Sequence, residues 1–123
     1  MKHHFDTDIQ DAELVVLQVL WEAGDPLPLA AILETLHARR GWADSTVKTL
    51  LRRLQEKGAV TLQKRGVYAA AIAREDYQGA ANHSFLQKLY QGSAKSLVAS
   101  LVHEGKLTQE DIAELTALFR KED

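Results

Sequence analysis

Apolar residues recur along this chain in blocks with helical spacing, separated by glycine and proline. In the first block Leu14, Leu17 and Trp21 repeat on one face, with Val16 and Leu20 beside them. That pattern predicts a helix over residues 8–23, with Asp8 as its N-cap and Glu13 in its first turns. Gly24 stops it, and "DPLP" forbids continuation because neither proline carries an amide donor. Leu29, Ile32, Leu33 and Leu36 then form an i, i+3, i+4, i+7 stripe, predicting a second helix that ends near Gly41.

A third helix follows over "DSTVKTLLRRLQEKG". Asp44 is placed to cap it, Val47, Leu50, Leu51 and Leu54 make its apolar stripe, and Gly58 suits a left-handed C-terminal position. At 100° per residue the opposite face holds Ser45, Thr46, Lys48, Thr49, Arg52 and Arg53. Val60 and Leu62 next alternate with Thr61 and Gln63, "KRG" makes a turn, and "VYAAAI" returns as a second strand of weaker signal, alanine being a poor strand former.

Beyond Arg74 the pattern is helical again. Phe85, Leu86, Leu89, Tyr90, Leu97, Val98, Leu101 and Val102 recur at helical spacing, with Gly92 interrupting. A last helix opens at "LTQEDIAELTALF", where Thr108 and Asp111 have capping-box spacing and Leu107 and Ile112 fit a hydrophobic staple. Two amphipathic helices in about 50 residues cannot bury their own apolar surface. A second copy of the same tail is the economical cover, which marks Phe85, Leu86, Leu89, Tyr90, Leu97, Val98, Leu101, Ile112, Leu115, Leu118 and Phe119 as dimerisation residues. The stripe of Phe85, Leu89, Tyr90 and Leu97 also fits a small-molecule pocket, although stripes of this spacing usually meet another helix.

The expected fold is therefore mainly α with a small β-hairpin. Residues 1–73 read as a winged helix-turn-helix domain and residues 74–123 as a helical dimerisation region.

Charge sharpens this picture. The chain carries a net charge of −2, yet from Arg39 to Arg74 there are nine basic residues and two acidic ones. That segment is +7 and the remainder −9, a positive face on an acidic body, as polyanion binding requires. Third helices of such domains enter the major groove while the wing follows the backbone. Ser45, Thr46, Lys48 and Thr49, in the first turns, are candidates for base edges; Arg52 reaches either a guanine or a phosphate. Arg53, Lys57, Lys64 and Arg65 suit phosphates, and Arg39 and Arg40 fit either a backbone contact or plain solvation. The competing reading is a winged helix that binds another protein instead of DNA; it has no need of so many cations on one face.

Other chemistries find little support. The absence of cysteine excludes disulfides, thiolate metal sites and thiol catalysis. "NHSF" sets a serine beside a histidine without a third group, so no catalytic arrangement is expected and the chain reads as no enzyme. Met1-Lys2-His3 is a faint copper or nickel motif, while His37, His83 and His103 share no ligand spacing, so neither metal nor cofactor is expected. No apolar run approaches the roughly 20 residues of a membrane span, and acidic residues precede the first apolar stretch, unlike a signal peptide. A cytoplasmic protein with no membrane insertion is expected. Trp21 reads as core and Trp42 as a packing plug at the turn before the third helix.

Three blocks, "ELVVLQVLWEAG", "STVKTLLRRLQEKG" and "SFLQKLYQGSAKSLVASLV", in this order and spacing, resemble the penicillinase repressor family (the BlaI/MecI type, with the copper-responsive CopY repressors as relatives). The resemblance implies a homodimeric repressor that binds dyad-symmetric operators through an N-terminal winged helix. Thr46-Val47-Lys48-Thr49 follows the family's recognition-helix pattern of Thr, aliphatic, basic, Thr. It also implies, for antibiotic-responsive members, a membrane metalloprotease sensor as partner and release by cleavage of an Asn–Phe bond in the dimerisation helix. The aligned positions here are Ser100 and Leu101, a departure from that bond. The paired C-terminal cysteines of the copper-responsive branch are absent.

Overall fold

The computed structural model describes residues 8–122. Its elements are α1 (Asp11–Ala23), β1 (Leu27–Pro28), α2 (Leu29–Arg40), α3 (Asp44–Glu56), β2 (Val60–Gln63), β3 (Val67–Ala70), α4 (Arg74–Tyr90), α5 (Ala94–His103) and α6 (Gln109–Glu122). They group into two compact units, one ending at Ala80 and one starting at Ala81.

In the first unit the three helices form as their apolar stripes require, with two corrections at their starts. Helix α1 begins at Asp11, capped at Gln10 and not at Asp8, because the Gln10 amide donates to Glu13 Oε1 at 3.0 Å. Helix α3 has Ala43 at its N-cap, and Asp44, the expected cap, is its first residue. Its carboxylate there still favours the positive end of the helix dipole. Beyond Lys57, Gly58 takes φ 80°, a left-handed turn that any side chain would strain, and the Ala59 amide returns to the Leu54 carbonyl at 2.9 Å.

The hairpin gains a third strand. β1 pairs antiparallel with β3, Leu27 facing Tyr68 and Pro28 facing Val67, and β3 pairs with β2 from Val60–Ala70 to Gln63–Val67. The order β1-β3-β2 leaves β1 at an edge, where a proline removes no needed donor. "DPLP" thus ends α1 as expected and also contributes a strand.

Val16, Leu17, Val19 and Leu20 of α1, Ile32 and Leu36 of α2, and Val47, Leu50, Leu51 and Leu54 of α3 make one core, closed by Ala59, Val60 and Ile72. Leu33 and Trp42 pack against it half-buried. Trp21 is also half-buried; its indole N–H donates to the Ile72 carbonyl at 3.0 Å. The Arg74 guanidinium lies 5.6 Å and the Tyr77 ring 6.0 Å from the Trp21 ring centre. These contacts carry the first unit into α4, past the expected boundary at residue 73.

The second unit is also divided differently. Gln91 and Gly92 take φ 47° and 83° and split the expected long helix into α4 and α5, giving three helices beyond residue 73 instead of two. Ser93 caps α5, its hydroxyl accepting from the Ser96 amide at 3.0 Å. The capping box of α6 forms as expected: Thr108 and Asp111 exchange two bonds of 2.9 Å each. No residue of α4 or α5 is fully buried.

Candidate nucleic-acid interface

Helix α3 separates its two faces cleanly. Val47, Leu50, Leu51 and Leu54 are buried, while Ser45, Thr46, Lys48, Arg52 and Arg53 are exposed and Thr49 is half-exposed. Lys48 and Arg53 pair with no acid among the described residues. Arg52 has only an exposed i, i+4 partner, Glu56, at 3.4 Å. A surface pair of this kind contributes about 0–1 kcal/mol, so Arg52 can exchange it for a phosphate at little cost.

The wing tip adds two further exposed cations, Lys64 and Arg65, in the tight turn between β2 and β3. Arg65 takes φ 66° and Gly66 φ 69°. The left-handed region costs a non-glycine residue about 1–2 kcal/mol. Arg65→Gly should raise the stability of the chain by about 0.5–1 kcal/mol, the relief of strain less the extra chain entropy of glycine, as a urea titration would measure.

Arg39, Arg40 and Lys57 also make contacts within the protein. Arg39 pairs with Glu22 at 2.8 Å, both exposed, and the Arg40 guanidinium sits 6.0 Å from the Trp42 ring centre. Lys57, expected at a phosphate, is turned inward: its Nζ lies 2.7 Å from Glu13 Oε1 and donates to the Asp8 carbonyl at 2.7 Å. Its side chain is only 20% exposed, and Glu13 only 1%. Lys57 therefore points away from the outward cations of α3. Glu13 carried a signal in the sequence: it stands at i, i+3, i+4, i+7 with Val16, Leu17 and Leu20, an acid on the apolar stripe. Tyr77 lies beside this cluster. Burial first, then the Asp11 and Asp8 carboxylates, push its phenol above the ordinary value of 10.0, with Lys57 pulling the other way.

In the second unit most of the expected dimerisation residues stand in solvent. Phe85, Leu89, Val98, Ile112, Leu115, Leu118 and Phe119 are large exposed hydrophobics, as is Val102, with Phe119 the most exposed at 72%. Leu86, Tyr90, Leu97 and Leu101 are half-buried. An open groove of about 300 Å³ runs along α5 and α6, lined by Val98, Leu107, Ile112, Leu115, Thr116 and Phe119. Ser100 and Leu101 both lie inside α5 and are half-buried.

Met1-Lys2-His3 lies outside the described residues. Among those described, no three histidine, aspartate or glutamate side chains come together as a metal site, and no helix is long and apolar enough to cross a membrane.

Three helices, a wing and a cation-and-hydroxyl face on the third helix define a winged helix-turn-helix protein. Residues 9–121 match the family model described as Penicillinase repressor, and the chain belongs to that family. It is 34% identical to the Penicillinase repressor of Bacillus licheniformis over 116 residues, 92% of this chain and 90% of that protein. To the Methicillin resistance regulatory protein MecI of Mammaliicoccus sciuri it is 28% identical over 117 residues, 93% and 94% of the two chains. The solution structure of the DNA binding domain of the repressor BlaI is similar, with a TM-score of 0.53 and 34% identity, over 63% of this chain and 94% of that one. So is the Bacillus licheniformis BlaI monomeric form in complex with the blaP half-operator, with a TM-score of 0.50 and 32% identity over the same shares.

Proposed function

We propose that the chain is a DNA-binding transcriptional repressor, and not an enzyme, that acts as a homodimer on duplexes of two-fold symmetry. The observation that carries this is the outward face of α3, where Ser45, Thr46, Lys48 and Thr49 at one end lead to Arg52 and Arg53, in the same unit as the exposed cations Lys64 and Arg65. The BlaI relative, solved with a half-operator, supports it. Helix α3 enters the major groove, Ser45, Thr46, Lys48 and Thr49 meet base edges, Arg52 meets a guanine or a phosphate, and Arg53, Lys64 and Arg65 hold the backbone. Hydroxyls among cations suit this task, because the cations supply attraction and the short side chains discriminate.

The exposed apolar faces of α5 and α6 support the homodimer. Two copies then present two recognition helices, and palindromic operators follow, with half-sites about one helical turn apart or more. Cytoplasmic location follows from the same reading, DNA being the partner. Release by a membrane metalloprotease sensor cutting at Ser100–Leu101 would require α5 to unwind first, since both residues sit in regular helix. Incubation with such a sensor should then give a fragment ending at Ser100; full induction with an intact chain would exclude that switch.

Lys64→Ala together with Arg65→Ala should weaken binding to every duplex alike. It should also flatten the slope of log K against log salt by about 1–2, as expected for the loss of one or two phosphate contacts. A fluorescence titration at several salt concentrations measures this, and an unchanged slope would remove the wing from the interface.

A further inference from the structure

We propose that Glu13 and Lys57 form a positioning lock that fixes the angle of the recognition helix, so that the bases it reads depend on a pair that touches no DNA. The proposal rests on the DNA-binding reading above. Glu13 is the only charged side chain buried to this degree among the described residues, and one of its oxygens serves two bonds. Glu13 Oε1 accepts from the Gln10 amide at 3.0 Å and from Lys57 Nζ at 2.7 Å, and the same Nζ donates to the Asp8 carbonyl at 2.7 Å. Lys57 is the C-cap of α3 and Gly58 turns the chain towards β2. The lock therefore ties the end of the recognition helix, at the point where the wing departs, to the N-terminal cap of α1.

Position is what this arrangement supplies. A buried ion pair gives little net stability over an apolar pair of equal volume, because both charges must leave water. What an apolar pair lacks is direction: two short bonds from Lys57 hold one end of α3, and their acceptor Glu13 is itself fixed by the Gln10 amide. Thirteen residues make a helix about 20 Å long, so a slip of about 2 Å at that end tilts it by about 6°. Hydrogen bonds to base edges do not survive displacements of about 1 Å, whereas attraction to phosphates does. The lock thus governs specificity and leaves non-specific affinity alone.

The test uses the full chain carrying Glu13→Gln and Lys57→Met. Glutamine keeps the acceptor for the Gln10 amide and methionine fills the lysine stem, so no buried charge is orphaned. The probes are a palindromic duplex enriched from a random pool by the wild-type chain, and a scrambled duplex of the same composition. Affinity for the enriched duplex should fall about tenfold, the worth of one good base contact, with the scrambled duplex and its salt slope unchanged. Lys57→Arg should keep the ratio of the two affinities within about twofold. If the double variant does not fold by circular dichroism, Glu13→Gln with Lys57→Leu takes its place, which likewise removes both bonds of Lys57, with the same readings expected. An unchanged ratio in a folded variant would overturn the lock. So would a salt slope lowered by about 0.9 on both duplexes, which would make Lys57 a phosphate contact. Failure of the wild-type chain to enrich any duplex would instead overturn the DNA-binding reading, and the lock with it.

Discussion

A chain carrying Leu115→Asp and Phe119→Asp should sediment as a monomer and bind a duplex with two half-sites about 10²–10⁴-fold more weakly, with its affinity for a single half-site unchanged. The two side chains are 50% and 72% exposed and line the groove along α5 and α6, so their replacement removes little from the folded chain itself. Water is tolerated against single apolar residues, but not readily against eight large ones gathered in one short helical tail. In the proposed homodimer a second tail covers them, and two carboxylates on each copy would then face apolar surface without partners. The loss in binding comes from linkage alone: once the copies part, the second half-site is no longer met at the high effective concentration that the dimer provides. Sedimentation velocity and fluorescence anisotropy on whole and half-site duplexes measure both halves of this prediction. A dimer that persists, or a monomer that binds the whole duplex as tightly as before, would contradict it.

The second large effect is on stability. Lys57→Ala should destabilise the chain by about 3–5 kcal/mol, read as a lowered midpoint of urea unfolding. The cost arises on the other side of the pair. Glu13, at 1% exposure beside Val16, Leu17 and Leu20, would be left with only the Gln10 amide to answer it among the described residues. Against a total of about 5–15 kcal/mol for a domain, that loss leaves little margin. Adding Glu13→Gln to Lys57→Ala should recover most of it, since the orphaned charge is gone. Failure of that second change to restore the midpoint would show that the lysine stem, and not the ion pair, holds this corner. Arg52→Ala offers the contrast: its pair with Glu56 is 3.4 Å long and exposed, so stability should barely move.

These two effects mark where the sequence speaks and where it does not. The helices of the first unit were legible because apolar residues recur at helical spacing in each, even where Glu13 interrupts the stripe of α1. The outward face of α3 followed from the same periodicity. The strand β1 was not legible: Leu27 and Pro28 are too few to show alternation, and the prolines announce only the end of a helix. The break between α4 and α5 was half visible in Gly92. Gln91, the other left-handed residue, gives no sign of it. The inward turn of Lys57 was not legible because charge counts do not record direction. A lysine beside arginines looks like one of a set until the acid 44 residues away in the chain is seen to claim it. The limit of the first unit at Ala80 likewise depends on Trp21 meeting Arg74 and Tyr77, a contact across the chain that no local pattern encodes.

The central claim is that α3 reads bases while the cations around it hold the backbone. It is tested most directly by fluorescence anisotropy of the wild-type chain and a Thr46→Ala, Lys48→Ala variant, on the enriched palindromic duplex and on its scrambled counterpart, across a range of salt. The wild type should bind both duplexes in a salt-dependent manner and the enriched one far more tightly, with the variant losing about 1–3 kcal/mol of that preference per base contact removed. Binding to the scrambled duplex should weaken much less, by no more than the one cation lost at Lys48. Wild-type chain that shows no salt-sensitive binding to any duplex, or a variant that keeps the full preference, would contradict it.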